Sequence, residues 1–167
     1  MTQVSSIFPR PGSQEKLKVL LLENIHESAN ALLTEQGFNV ERVNSALSES
    51  DLKKRVQDVQ ILGIRSKTQV TAGVLAEAKQ LMALGCFCIG TNQVDLATAN
   101  HRGIPVFNAP FSNTRSVAEM ILSEVIMLAR QLGDRTREVH EGKWRKVSVG
   151  SFEVRGKTLG IVGYGHI

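Results

Sequence analysis

Long apolar runs are missing from this chain. No stretch approaches the roughly 18 consecutive apolar residues that suggest a membrane helix, so no membrane partner is expected. The start, MTQVSSIFPRPGSQEK, lacks the charged-then-apolar layout of a secretory signal, and a cytoplasmic protein is the expectation. Cysteine is scarce too. The two present, Cys86 and Cys88, lie one residue apart in an apolar run, which excludes an ordinary disulfide framework. No second Cys or His cluster completes a zinc site, so these thiols read as small buried hydrophobes and no metal is expected. Aromatics are few, and Trp144 alone interrupts the densest basic run, Lys143–Lys146. That argues against the aromatic interleaving of a single-strand nucleic-acid platform, and no nucleic-acid partner is expected.

What charge there is has a location. Between Arg130 and Lys157 eight Lys/Arg stand against four Asp/Glu, so this span carries a net charge equal to the whole chain's +4. A solvated face is one reading; an anionic small molecule or an acidic partner surface is the sharper one. The histidines do not form an acid–base constellation. His26, His101 and His140 lack a carboxylate at triad spacing and read as surface or helix-end residues. The Glu49–Asp51 and Asp134–Glu138 carboxylates stand among mixed charges at helical spacing and read as solvated faces.

Hydrophobic periodicity gives an alternating order of elements. After a loose tail over 1–16, Leu17–Leu22 reads as a buried strand and Ile25–Gln36 as a helix stopped by Gly37. Strand patterns follow at 38–43, 59–64, 81–89 and 104–108. Ser48 and Thr71 are placed to cap helices, and a short helix runs from Leu96 to Arg102 before Gly103. Strands alternating with helices of this length predict an open, parallel, doubly wound α/β sheet over 17–108. Ligands of such sheets bind outside the carboxyl ends of the strands. Here those ends carry Glu23-Asn24, Arg65-Ser66, Ile89-Gly90 and Asn108-Ala109.

Beyond Pro110 the pattern changes. Ser116–Leu132 reads as one long helix, apolar enough to be buried on more than one face, with Gly133 as its stop. An arginine-rich helix follows to about Glu141. The chain then reaches Leu159–Val162, a short apolar run read as a buried parallel strand, and Gly163-Tyr164-Gly165. A strand feeding Gly-x-Gly is the opening of a dinucleotide-binding βαβ unit: the first glycine permits the tight turn, the second lets a pyrophosphate approach the backbone. The third glycine and the ribose-binding acid of a full fingerprint are absent, so an ordinary glycine turn explains this stretch equally well.

Longer segments carry more. GIRSKT at 63–68, GCFCIGTNQVDL at 85–96, RGIPVFNAPFSNTRSVAE at 102–119 and GKTLGIVGYGHI at 156–167 resemble the D-isomer-specific 2-hydroxyacid dehydrogenases. The resemblance runs over nearly all of 17–167. Asn92-Gln93, where many relatives carry Asp-Asn, indicates the phosphoglycerate branch of that family. The resemblance implies a flavodoxin-like substrate lobe (17–110) followed by the beginning of a Rossmann nucleotide-binding lobe (111–167). It also implies NAD as cofactor and oxidation of 3-phosphoglycerate to 3-phosphohydroxypyruvate, the first committed step of serine synthesis. By the same resemblance Arg65 and Ser66 grip the anionic substrate, the Ile89-Gly90 loop meets its carboxylate, and Asn113 adds a polar contact. An arginine fork at a strand's carboxyl end suits a carboxylate or phosphate in any case.

Gly163, Gly165, His166 and Ile167 match the nucleotide-binding turn. Trp144 matches a tryptophan that packs into a neighbouring subunit, with Lys146 beside it, so a homodimer through 113–146 is expected, with a higher oligomer left open. The family's catalytic arginine, glutamate and histidine have no counterpart in these residues, so no catalytic residue is assigned. The chain reads as the front part of a longer enzyme and is not expected to turn over by itself. A natural product ending at Ile167 would instead be a non-catalytic subunit pairing with a full-length partner, or the debris of an interrupted gene. Truncation of an enzyme is preferred, because Thr158–Val162 has no charge or proline to blunt an unpaired strand.

Overall fold

A computed structural model describes residues 16–165 and 167. The tail expected over 1–16 falls, but for Lys16, outside the described residues. The chain divides into two compact units, Met1–Pro110 and Phe111–Ile167.

The first unit is built on the apolar runs. They form β1 (Lys18–Leu21), β2 (Asn39–Arg42), β3 (Ile61–Ile64), β4 (Ala83–Cys86) and β5 (Val106–Asn108), alternating with α1 (Glu27–Glu35), α2 (Glu49–Arg55), α3 (Ala72–Glu77) and α4 (Leu96–His101). All pairings are parallel, in the order β2-β1-β3-β4-β5. This is the flavodoxin-like doubly wound arrangement, with its switch of direction between β1 and β3. The expected β4 extended from Leu81 to Ile89; the strand is shorter, with Phe87 N on Ile64 O at 2.8 Å making its last bond to β3 before the chain enters the loop at the strand's carboxyl end.

Register explains the core. Leu20, Leu62, Leu84 and Val106 stand side by side across four strands. Residues two further on, Leu22, Ile64 and Cys86, continue the same face, and α2, α3 and α4 close it with Leu52, Val56, Val74, Leu75 and Ala99. The opposite face is smaller: Val19, Leu21 and Ile25 pack with Ala29 and Leu33 of α1. Sequence capping signals hold. Ser48 Oγ accepts from Asp51 N at 3.2 Å, and Thr71 Oγ1 accepts from Val74 N at 3.3 Å. Cys86 is buried and unpaired, as expected of a small hydrophobe, and burial pushes its thiol up to about 11; Cys88, expected to be buried as well, is only half-buried and its Sγ donates to Gly90 O at 3.3 Å.

The sheet's two edges differ in chemistry. β2 carries Glu41, paired with Arg55 and Lys18, and Arg42, paired with Glu27. β5 is three residues long, with Pro105 just before it and Pro110 two residues after.

The second unit contains α5 (Thr114–Ala129), packed on α6 (Leu132–His140), and an arm of irregular chain. Three expectations are corrected here. The long helix is not buried on several faces: no residue of α5 is buried, and Leu122 and Leu128 are 60% and 78% exposed. Its composition suits burial, but within this unit only α6 and the arm lie against it. The break after it comes at Gln131, left-handed at φ 55°, and Gly133 lies inside α6. Arg135 holds the Gln131 side chain at 2.7 Å, and Phe152 N returns to Ala129 O at 2.7 Å. Finally, Leu159–Val162 is extended coil, with Val162 fully exposed. A strand is defined by its neighbour's hydrogen bonds, and no described strand lies beside this one in its unit. No helix among the described residues is long and apolar enough to cross a membrane.

Candidate functional site

Three loops at the carboxyl ends of the strands of the first unit are laced into one surface. After β1 the chain makes a turn that is unusual for non-glycine residues: Glu23 and Asn24 both have positive φ, 60° and 52°. Leu22 N is still bonded to Gly63 O at 2.8 Å, so this turn stays beside β3. It carries the Glu23 side chain under the segment that follows β3. There the carboxylate is 7% exposed and both its oxygens accept backbone N–H groups. Oε1 takes Arg65 N at 3.1 Å and Thr68 N at 2.9 Å, and Oε2 takes Lys67 N at 2.9 Å.

Burial by itself would raise the Glu23 pKa. The Thr68 side chain and the N–H groups of Thr68, Lys67 and Arg65 outweigh it and hold the carboxyl below its ordinary value. The Thr68 hydroxyl is fully buried and lies outside good hydrogen-bond geometry, so the three amides are the firm contacts.

Gln93 ties this turn to the next loop. It is 4% exposed, and its Nε2 donates to Arg65 O at 2.8 Å, to Cys88 Sγ at 3.2 Å and to Gly90 O at 3.3 Å. The backbone carbonyl of Gln93 accepts from Val70 N at 2.8 Å. Asn108, closing β5, donates to Ile89 O at 2.7 Å. Arg65, Ser66, Ile89 and Gly90 are therefore held together on one rim. The amide of Ser66 has no acceptor among the described residues, and the Arg65, Ser66 and Lys67 side chains have no hydrogen-bond or ion-pair partner there. Beside Arg65 opens a groove of about 560 Å³ walled by Asn24, Ile25, His26, Glu27, Arg42 and Phe87. Arg42 is already engaged, donating to Ile25 O at 2.8 Å and pairing with Glu27. A rim offering one unengaged guanidinium, an ammonium, a hydroxyl and an amide is suited to an anionic ligand.

The model of the family described as D-isomer specific 2-hydroxyacid dehydrogenase, catalytic domain, matches residues 19–158. The chain belongs to this family. Its members are NAD-dependent oxidoreductases. It is 58% identical over 160 residues to the D-3-phosphoglycerate dehydrogenase of Dictyostelium discoideum, covering 96% of this chain and 38% of that one. It is 57% identical over 158 residues to D-3-phosphoglycerate dehydrogenase 1 of Saccharomyces cerevisiae, covering 95% and 34%. The chain thus spans little more than a third of the length of these relatives. Among solved structures, the NAD-dependent formate dehydrogenase of Staphylococcus aureus in complex with NAD superposes with a TM-score of 0.65. At 23% identity, over 77% of this chain and 43% of that one, it bears on the fold alone.

The other residues picked out by the family resemblance belong to the second unit. Asn113 is the N-cap of α5 and makes no side-chain capping bond. Trp144, 83% exposed, and Lys146 line a groove of about 560 Å³ with Arg130, Arg135, Glu138 and Arg145. In that groove Glu138 is paired with Arg135 and Arg145 at 2.9 Å each. Gly163, Gly165 and Ile167 lie on exposed coil, and His166 lies outside the described residues. An added Cβ would meet nothing within 4 Å at Gly163 or Gly165, and Gly163 sits at φ 112°. Open backbone of that kind fits the close approach a pyrophosphate needs. No group of three His, Cys, Asp or Glu residues that could hold a metal is found among the described residues.

Glu23 and Gln93 were not singled out from sequence as site residues. An acid ending an otherwise apolar strand (Leu20-Leu21-Leu22-Glu23) was a signal. Its partners, 42 to 45 residues away, were not visible.

Proposed function

We propose that this chain supplies the substrate-holding part of an NAD-dependent dehydrogenase that oxidises 3-phosphoglycerate to 3-phosphohydroxypyruvate in serine synthesis. One observation carries the reading. The side chains of Arg65, Ser66 and Lys67, within a chain 58% identical to a D-3-phosphoglycerate dehydrogenase, stand without hydrogen-bond or ion-pair partners among the described residues, on a turn where every amide but that of Ser66 is fixed by Glu23. Residues 17–110 are the substrate lobe. Arg65 and the Ser66 hydroxyl bind the anionic substrate, the Ile89-Gly90 loop meets its carboxylate, and Asn113 adds a polar contact.

Residues 111–167 begin the nucleotide lobe, where the open glycines Gly163 and Gly165, with His166 and Ile167, receive the cofactor's pyrophosphate. When bound, NAD supplies the hydride acceptor. The contribution of residues 1–167 is to bind and orient; none of them is assigned a proton-transfer role. The exposed apolar surface of α5 and Trp144, with Lys146 beside it, forms a homodimer contact through 113–146, and the protein works in the cytoplasm.

The test is a titration of the isotope-labelled chain with 3-phosphoglycerate, followed by NMR. The amides of Arg65–Thr68, Ile89 and Gly90 should shift together and saturate. Arg65→Ala should weaken binding by about tenfold or more, as loss of a charge-assisted contact predicts. Shifts scattered over the surface, or unchanged binding by Arg65→Ala, would remove this turn from the site.

A further inference from the structure

We infer that Glu23 and Gln93 are the positioning residues of the candidate site, a buried clamp that fixes the Arg65–Thr68 turn from below and from the side. The inference deepens the proposed function and rests on it for the identity of the ligand. It comes from the geometry of two buried side chains that belong to no ion pair among the described residues.

The Glu23 contacts are selective. Of the four amides in the turn, those of Arg65, Lys67 and Thr68 converge on its two oxygens, while that of Ser66 has no acceptor among the described residues. Three donors on two oxygens require an acceptor at both positions, which only a carboxylate offers. A glutamine of the same shape would turn an NH₂ group toward one set of N–H donors and lose at least one contact. The left-handed pair Glu23-Asn24 shows that the backbone accepts an unfavourable conformation to put the carboxylate there.

Gln93 completes the clamp from the neighbouring strand end. Its Nε2 donates to the Arg65 carbonyl at 2.8 Å, so both polar groups of the Arg65 peptide backbone are taken by buried side chains. The same nitrogen lies 3.3 Å from Gly90 O, which sets the spacing between the Arg65 turn and the Ile89-Gly90 loop. Glu23 and Gln93 touch no ligand themselves. They decide where Arg65, Ser66 and Gly90 stand, and they leave the Ser66 amide as the turn's one backbone donor to a ligand.

The experiment combines amide hydrogen exchange and 3-phosphoglycerate titration on the 167-residue chain. It compares wild type, Glu23→Gln, Gln93→Met and a control, Leu33→Ala, whose side chain packs in the smaller core under α1. Glu23→Gln should lower exchange protection at Arg65, Lys67 and Thr68 by about tenfold or more, the size expected for hydrogen bonds to a charged group. The strand amides of Leu62 and Leu84 should keep theirs, and the dissociation constant for 3-phosphoglycerate should rise by a similar factor. Leu33→Ala should lower stability and leave both readouts at the turn unchanged.

Retained protection at the three amides, or wild-type binding by Glu23→Gln, would overturn the inference. Should Glu23→Gln not fold, Gln93→Met decides: weakened binding with intact strand amides supports the clamp, and wild-type binding rejects it. Absence of 3-phosphoglycerate binding by the wild type would sink the proposed function, and the exchange pattern alone would then decide the clamp.

Discussion

The two units of this chain have similar apolar content and opposite fates for it. In the first, leucines and valines are sealed between a parallel sheet and helices on both of its faces. In the second, no described residue is buried, although α5 holds Met120, Ile121, Leu122, Ile126 and Leu128 on consecutive turns. The difference lies in the number of surfaces each element can meet. A strand inside a doubly wound sheet has a neighbour on either side and a helix above or below. A helix packed on one short helix and an arm has solvent on most of its circumference. Composition sets what a segment would gain from burial; topology decides whether it is buried.

The largest test of that contrast is a matched pair of truncations. Leu62→Ala empties a fully buried position at the centre of the sheet and should cost about 2–5 kcal/mol in urea unfolding. Leu122→Ala removes the same atoms from a side chain that is 60% exposed and, at concentrations too low for the 113–146 contact to form, should stay within about 0.5 kcal/mol. Equal costs would show that α5 is covered in solution by something the chain's second unit does not contain. A smaller effect is expected from filling space instead of emptying it. A Cβ at Gly63 would lie 2.6 Å from Leu21 Cδ2 and 3.1 Å from the Phe87 ring. Gly63→Ala should therefore destabilise the first unit by about 1–3 kcal/mol. Gly160→Ala, in open coil where nothing lies within 4 Å, should leave the unfolding midpoint where it is.

The smallest effect concerns pH. The Glu23 carboxyl titrates below its unfolded value in the folded chain. Its stabilising contribution is thus complete above the ordinary glutamate range of about 4.3. It is withdrawn as pH falls through the lower folded value, because the unfolded chain then takes up the proton first. Urea midpoints recorded downward from about pH 5 should fall more steeply for wild type than for Glu23→Gln. Parallel curves would mean that the three amides do not favour the charged form.

Much of the first unit was legible in the sequence for a local reason. β1 and β3 are apolar runs, and Ser48 and Thr71 stand one residue before the helices they cap, so each signal lies within a few residues of its effect. Arg65, Ser66, Ile89 and Gly90 could be placed on one rim because a parallel sheet puts all its carboxyl ends on one side. What was not legible depends on distant partners. The break at Gln131 instead of Gly133 is stabilised by Phe152 N, which returns from the arm to Ala129 O. The coil at Leu159–Val162 reflects the lack of a strand beside it among the described residues of its unit, which no property of those four residues could announce. Glu23 and Gln93 reach across loops to groups many residues away, and a lone acid or amide in a sequence does not say what it will bind.

The sheet edges have a consequence for behaviour at high concentration. Open parallel sheets offer unpaired N–H and C=O rows at both ends, and a second molecule could add a strand to either. On one side, adding a strand beside β2 would disturb Glu41 and Arg42, which are engaged with Arg55, Lys18 and Glu27. On the other, β5 gives a ladder of three residues bounded by prolines, too short to hold a partner. Strand-to-strand polymerisation through the first unit is thereby discouraged at both ends.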